Sequence, residues 1–307
     1  MITSIFSKSK SINFIIVFFI TLLAFIIARI ESINEPITWL FVLKQIVLLF
    51  VCYSSILLLN FITSKNNLTK RNNYEILLFS LFLLLIVHAT SHTAIVLSNF
   101  FILLGLRRIV SLRSEKEIKK KLFDAAFWIA IASVFYFWAI LFFALILIAL
   151  ILYTDNKLRH WIIPFLAVAT VFVISISISI IVYDRFFEIF NIPLGISYDF
   201  SNYNSVKYMV AITLLLSFGI WSSIFYLRNI KKKKKDFRAS FKIIIVSALV
   251  AFLIVLQAPE KSGSEFLFMF APLAIIITNY IEIIQERWFK EVFLSLLIIV
   301  PFITLLL

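Results

Sequence analysis

The chain has 307 residues, 63% of them hydrophobic and only 15% charged, with a mean hydropathy of +1.06. Ordinary soluble domains are about half apolar and a quarter charged, so no water-soluble fold would hide this much apolar surface. The 29 Lys and Arg against 16 Asp and Glu give a net charge of +13, which in so apolar a chain follows from cationic loops collecting on the cytoplasmic side of a membrane and not from nucleic-acid binding.

Apolar runs of about 16 to 25 residues, parted by short charged loops, recur from Ser11 to the C-terminus. This predicts an all-α polytopic transmembrane bundle of about eleven helices, forming one integral membrane domain over residues 1–307. In chain order the spans are Ser11 to Arg29, Ile37 to Ile62, Tyr74 to His88, Thr93 to Arg107, Leu122 to Phe137 and Trp138 to Thr154. They continue with Trp161 to Tyr183, Ser205 to Leu227, Ser240 to Gln257, Glu265 to Ile284 and Glu291 to Leu307. The first run carries Lys8 and Lys10 ahead of it but no small-residue cleavage site, which marks an uncleaved first helix.

Placing the N-terminus inside puts Lys65, Lys70 and Arg71, the basic segment 107–121, Lys157 and Arg159, the segment 228–239 with Lys231 to Lys235, and Arg287 with Lys290 on the same inner side. The outer side then keeps little beyond Arg29, Arg185, Lys207 and Lys261, and the C-terminus falls outside. Leu122 to Tyr153 has no charge except Asp124 and no Pro or Gly. As one helix it would be about 48 Å long against roughly 30 Å of hydrocarbon, so two short helices meeting near Phe135 to Trp138 are expected. The longest outer segment, 184–204, has room for an amphipathic or re-entrant element.

Phosphate-binding loops and the motifs GxGxxG, CxxC, HExxH and GxSxG are absent. Chemistry must therefore come from ionisable groups in or near the membrane, which are costly there unless they face a cavity or a partner. Arg29, Glu31 and Glu35 lie in the loop after the first span. The two carboxylates, four apart, are candidates for a general base or metal ligands, against the plain alternative of a solvated loop. Lys44, about two turns into the second span, is either a structural ion-pair partner or a contact for a substrate phosphate. His88 and His92, also four apart, have metal-ligand spacing on a helical face. With only three histidines in the chain, a hairpin tip that is structural or faces a polyprenyl lipid is the better reading. Glu260, Lys261 and Glu265 form a polar outer turn that either merely connects two helices or closes over the cavity that Glu31 and Glu35 serve. Cys52, the single cysteine, reads as a small buried apolar residue.

Ser91 to Ile109 (SHTAIVLSNFFILLGLRRI), Asp124 to Leu152 (DAAFWIAIASVFYFWAILFFALILIALIL), Arg159 to Pro164 (RHWIIP) and Glu265 to Tyr280 (EFLFMFAPLAIIITNY) follow one another in an order that resembles the GT-C class of membrane glycosyltransferases. That resemblance implies a polyprenyl-phosphate-linked sugar as donor at the outer face, with an acidic residue of the first outer loop, here Glu31 or Glu35, as base or as ligand to a divalent metal ion. Arg29, Lys44, His88, His92, Glu260, Lys261 and Glu265 would then bind substrate. The paired acidic motif usual in that loop is not present. The chain also resembles an uncharacterised family of compact bacterial inner-membrane proteins, and that likeness implies no activity. The alternatives in order are a non-catalytic membrane subunit of a cell-envelope assembly with protein partners, a transporter, and a carotenoid-type oxygenase. Transporters commonly show inverted repeats and helices broken by Gly or Pro, and neither is evident here.

Overall fold

The computed structural model describes residues 2–30, 38–153, 157–190 and 195–306. It is 84% helix and contains no strand among the described residues, so the fold is all-α. The helices are α1 (Ile2–Phe6), α2 (Ser11–Ile30), α3 (Trp39–Asn66), α4 (Tyr74–Leu85), α5 (Thr93–Ser111), α6 (Ile118–Phe135), α7 (Phe143–Tyr153), α8 (Leu158–Tyr183), α9 (Val206–Ile230), α10 (Lys235–Gln257), α11 (Leu267–Ile283) and α12 (Arg287–Thr304).

Each of the eleven expected spans carries helix, but among the described residues seven helices are long and apolar enough to cross a membrane, by length and composition. Two more, Tyr74–Leu85 and Phe137–Tyr153, are apolar but shorter. α6 opens on Lys119, Lys120 and Lys121, and α12 has Arg287, Lys290 and Glu291 in its first two turns, so neither offers an uninterrupted apolar length.

Local chemistry explains where several helices begin and end. Thr38 is extended and its hydroxyl accepts the Phe41 N–H at 3.2 Å, capping α3. At the other end Asn67 takes the left-handed conformation, φ 52°, that stops the helix. Ser205 caps α9 in the same way as Thr38 caps α3, accepting from Tyr208 N at 3.3 Å. The long apolar run after Lys121 breaks at Tyr136, whose extended backbone (φ −144°, ψ 107°) ends α6, and a 3₁₀ turn over Phe137–Phe142 leads into α7.

The chain forms two compact units. The first comprises 1–96, 199–233 and 261–307, and the second 97–198 and 234–260. At the centre of the first lies α4, whose twelve residues are all buried. A helix apolar on nearly every face is kept from water either by lipid or by other helices, and here α2, α3, α11 and α12 enclose it. Phe270 of α11 packs edge-on to Phe79 and tilted to Phe82 of α4, with ring centroids 5.9 and 5.7 Å apart. α9 lies on α11, where a Cβ at Gly219 would stand 3.2 Å from Leu273.

In the second unit α6 packs on α8, and α10 on α7. α5 meets α6 through Phe101, stacked on Trp128 and Phe135, and through a close approach at Gly105, where a Cβ would stand 3.0 Å from Ile129. Asp124, the one charge in its long apolar run, pairs with Arg108 at 2.8 Å.

Candidate functional site

The first unit gathers polar groups at the end where α2 finishes. Arg29, in the last turn of α2, is half-buried over the Phe25 ring, its guanidinium carbon 3.8 Å from the centroid. It donates from Nε to Gln45 Oε1 at 3.0 Å and from Nη1 to Thr90 Oγ1 at 2.7 Å. Both acceptors are uncharged, so these bonds orient the guanidinium without neutralising it. Thr90 belongs to a 3₁₀ turn, Val87–Thr90, that follows α4. His88 of that turn stacks on Tyr208, centroids 6.2 Å apart, and its Nδ1 lies 3.5 Å from Ser91 Oγ.

The same 3₁₀ turn packs against a second one, Ser264–Phe266, which leads into α11. The preceding residues form a tight bend at Gly263, φ +90°, where a Cβ would stand 2.6 Å from the Tyr208 hydroxyl. Only glycine suits that backbone and that space. Tyr208 donates to Ser262 O at 2.9 Å, and Ser262 Oγ lies 2.5 Å from Ser264 Oγ and donates to Glu265 Oε2 at 3.3 Å. Glu265 is fully buried, and its other oxygen, Oε1, has no hydrogen-bond partner. Lys261 is 2% exposed with its Nζ 4.8 Å from the Phe200 ring centroid, and burial lowers its ammonium pKa from the usual 10.5. Tyr203 fills the space between Tyr208 and Phe266, at 5.4 and 5.6 Å.

Of the residues singled out in the sequence, this end therefore brings together Arg29, His88, Lys261 and Glu265. Glu31 and Glu35 lie outside the described residues. Lys44 is exposed on α3. His88 and His92 do not share a helical face: His88 is half-buried in the 3₁₀ turn, whereas exposed His92 stands past its end, its carbonyl accepting from Val96 N of α5 at 3.1 Å. Glu260 is exposed and belongs to the second unit. Among the described residues no three His, Cys, Asp or Glu side chains are placed to share a metal ion, so nothing in the described geometry supports a step through a metal.

Sequence reasoning passed over a second polar group, at the opposite end of α4. Glu75 is 1% exposed; one oxygen accepts from Thr63 Oγ1 at 3.3 Å and the other, Oε2, has no partner. Asn73 beside it is fully buried with its side-chain amide unpartnered. Glu282 of α11 accepts from Asn72 Nδ2 at 2.6 Å and from Lys70 N at 2.7 Å. The available signal was a carboxylate on the first turn of a run that is otherwise apolar, a place where an acid commonly serves only to start a helix.

No curated protein and no solved structure matches the chain. A family model does match, over residues 1–306, and the chain therefore belongs to the family described as Family of unknown function (DUF6427).

Proposed function

We propose that this protein is a membrane glycosyltransferase of GT-C type that works on a polyprenyl-phosphate-linked sugar at the Arg29 end of its first unit, taken as the outer face. The observation that carries this reading is the convergence of Arg29, His88 and the Lys261 to Glu265 bend, three stretches of chain far apart in sequence, on one end of a helical bundle. Structural ion pairs would have put carboxylates on the Arg29 donors that Gln45 and Thr90 take instead.

In the proposed reaction an acceptor hydroxyl oxygen attacks the anomeric carbon, the bond from that carbon to the phosphate oxygen breaks, and polyprenyl phosphate leaves with the electron pair. Glu31 or Glu35 takes the hydroxyl proton. Arg29 and His88, the half-buried members, contact the phosphate and offset the charge it gains. Lys261 and Glu265 are enclosed, so they act on the shape and potential of the site by holding the 261–265 bend.

The test uses full-length protein in nanodiscs, titrated with polyprenyl phosphate and then supplied with a polyprenyl-phosphate sugar and membrane acceptors. Saturable binding is expected, weakened at least about tenfold by Arg29→Gln. Turnover should fall about 100-fold or more in Glu31→Gln or Glu35→Gln, with normal abundance of the protein. Unchanged binding in Arg29→Gln together with unchanged turnover in both glutamate variants would overturn the reading and leave a non-catalytic subunit of an envelope assembly as the better account.

A further inference from the structure

The second unit contains a polar cavity of about 550 Å³ that has no part in the proposed transfer. Its walls come from the α5–α6 connection (Arg113, Ser114, Glu115), the end of α7 (Tyr153) and the start of α10 (Lys235, Asp236). The connection is a firm wall: the Glu115 N–H closes a 3₁₀ turn onto Leu112 O at 2.9 Å, and Lys121 Nζ ties the turn from below through Ser111 O at 2.7 Å and Ser114 Oγ at 2.5 Å. On the facing wall the Tyr153 hydroxyl is held 2.7 Å from Ser240 Oγ.

Arg113 is the member that calls for a ligand. Its guanidinium lies flat on Phe237, 3.8 Å from the ring centroid, so its plane is fixed. The part-exposed Arg113 side chain lines the cavity, and no described carboxylate pairs with it. A guanidinium that has no carboxylate partner keeps its charge, and its accessible donors are free to meet an anion in the cavity. Beside it α10 begins without a side-chain cap, so its first N–H groups and the positive end of its dipole border the same cavity, together with the Lys235 ammonium. An oriented guanidinium, an ammonium and an uncapped helix start form a receptor for phosphoryl oxygens. Glu115 and Asp236 on the rim would repel a bare anion but accept hydrogen bonds from hydroxyl or ammonium groups on the same molecule.

We propose that this cavity binds a phosphate ester that also carries a hydroxyl or amine, the chemistry of a phospholipid headgroup and of its water-soluble counterpart, with Arg113 as the anchor. Two probes separate the sources. Full-length protein in phosphatidylcholine nanodiscs is dialysed against radiolabelled glycerol 3-phosphate. In parallel, nanodiscs doped with phosphatidylglycerol are analysed by native mass spectrometry for retained lipid. Binding of the first probe assigns a soluble ester, and retention of the second alone assigns a lipid headgroup; either supports the site.

Arg113→Gln should weaken the bound probe at least about tenfold, and Arg113→Lys less, because it keeps the charge while losing the planar fork. Lys235→Ala should weaken it several-fold, and because Lys235 is exposed its loss leaves packing intact should the arginine variants fail to fold. Arg185→Gln, whose side chain is 74% exposed on another element, should change nothing. If the wild type retains neither probe, or if Arg113→Gln and Lys235→Ala retain both as the wild type does, the proposal is wrong.

Discussion

Arg29 Nη1 donates to Thr90 Oγ1 at 2.7 Å, and this bond pins the end of α2 to the turn that follows α4. Replacing the hydroxyl with a methyl group, Thr90→Val, keeps the shape of the fully enclosed Thr90 but leaves a half-buried guanidinium donor without its acceptor. The expected loss is about 1–3 kcal/mol, read as a lower midpoint in thermal unfolding of the purified protein, whereas Thr90→Ser should stay near wild type. Equal midpoints for Thr90→Val and wild type would mean that the bond contributes nothing to holding this end together.

Gly263 has two reasons to be glycine, its φ of +90° and the Tyr208 hydroxyl 2.6 Å from any added Cβ. Gly263→Ala should therefore destabilise the protein by more than the roughly 1 kcal/mol of an ordinary left-handed position. Pairing it with Tyr208→Phe removes the clashing oxygen, and with it the bond to Ser262 O. The double variant should then be less damaged than the sum of the two single ones, a coupling that thermal unfolding of the four proteins would measure. Strict additivity would show that the hydroxyl adds nothing to the cost set by backbone strain and by the Tyr208 ring carbon 2.9 Å from the added Cβ.

The helical, membrane-type architecture was legible because hydropathy is carried by every residue, and the break near Tyr136 was legible because a single helix over that run would overshoot the bilayer. Helix count was harder: whether Lys119, Lys120 and Lys121 belong to a loop or to the first turn of α6 changes the apparent span, and hydropathy gives no answer. The site was partly legible. Arg29, His88, Lys261 and Glu265 stood out as charges beside apolar runs, but their meeting depends on how α2, α4, α9 and α11 pack, which no local pattern encodes. Lys44 read as deep because of its distance along the helix, while its exposure depends on which face of α3 is left uncovered. Glu75 was missed because an acid in a first turn is so commonly solvated.

Lys261 predicts a pH dependence. Burial of its ammonium group lowers its pKa in the folded protein below the 10.5 of an exposed lysine, so between those two values the unfolded chain binds more protons than the folded one. Stability from this group therefore rises with pH across that window. Lys261→Met removes the buried charge at similar length. Its melting temperature should exceed that of the wild type most at neutral pH, and the difference should shrink as pH approaches 10.5. A difference independent of pH would show that the ammonium is not desolvated.

Glu75 gives the sharpest test of packing inside the first unit. Its carboxylate is 1% exposed on a helix with every residue buried, it has Thr63 as its hydrogen-bond donor, and among the described residues no cation pairs with it. A buried group of that kind costs stability unless something outside the described contacts repays it. Glu75→Gln keeps the size and still accepts from Thr63 while removing the acid, so it should hold or raise thermal stability by about 1 kcal/mol. Glu75→Ala should lower it by about 2 kcal/mol or more, since it empties space at the foot of α4 and leaves the Thr63 hydroxyl without this partner. The informative failure is a Gln variant as unstable as the Ala variant. That result would mean the negative charge itself is needed, and it would redirect attention from the Arg29 end to the group around Glu75, Asn73 and Glu282.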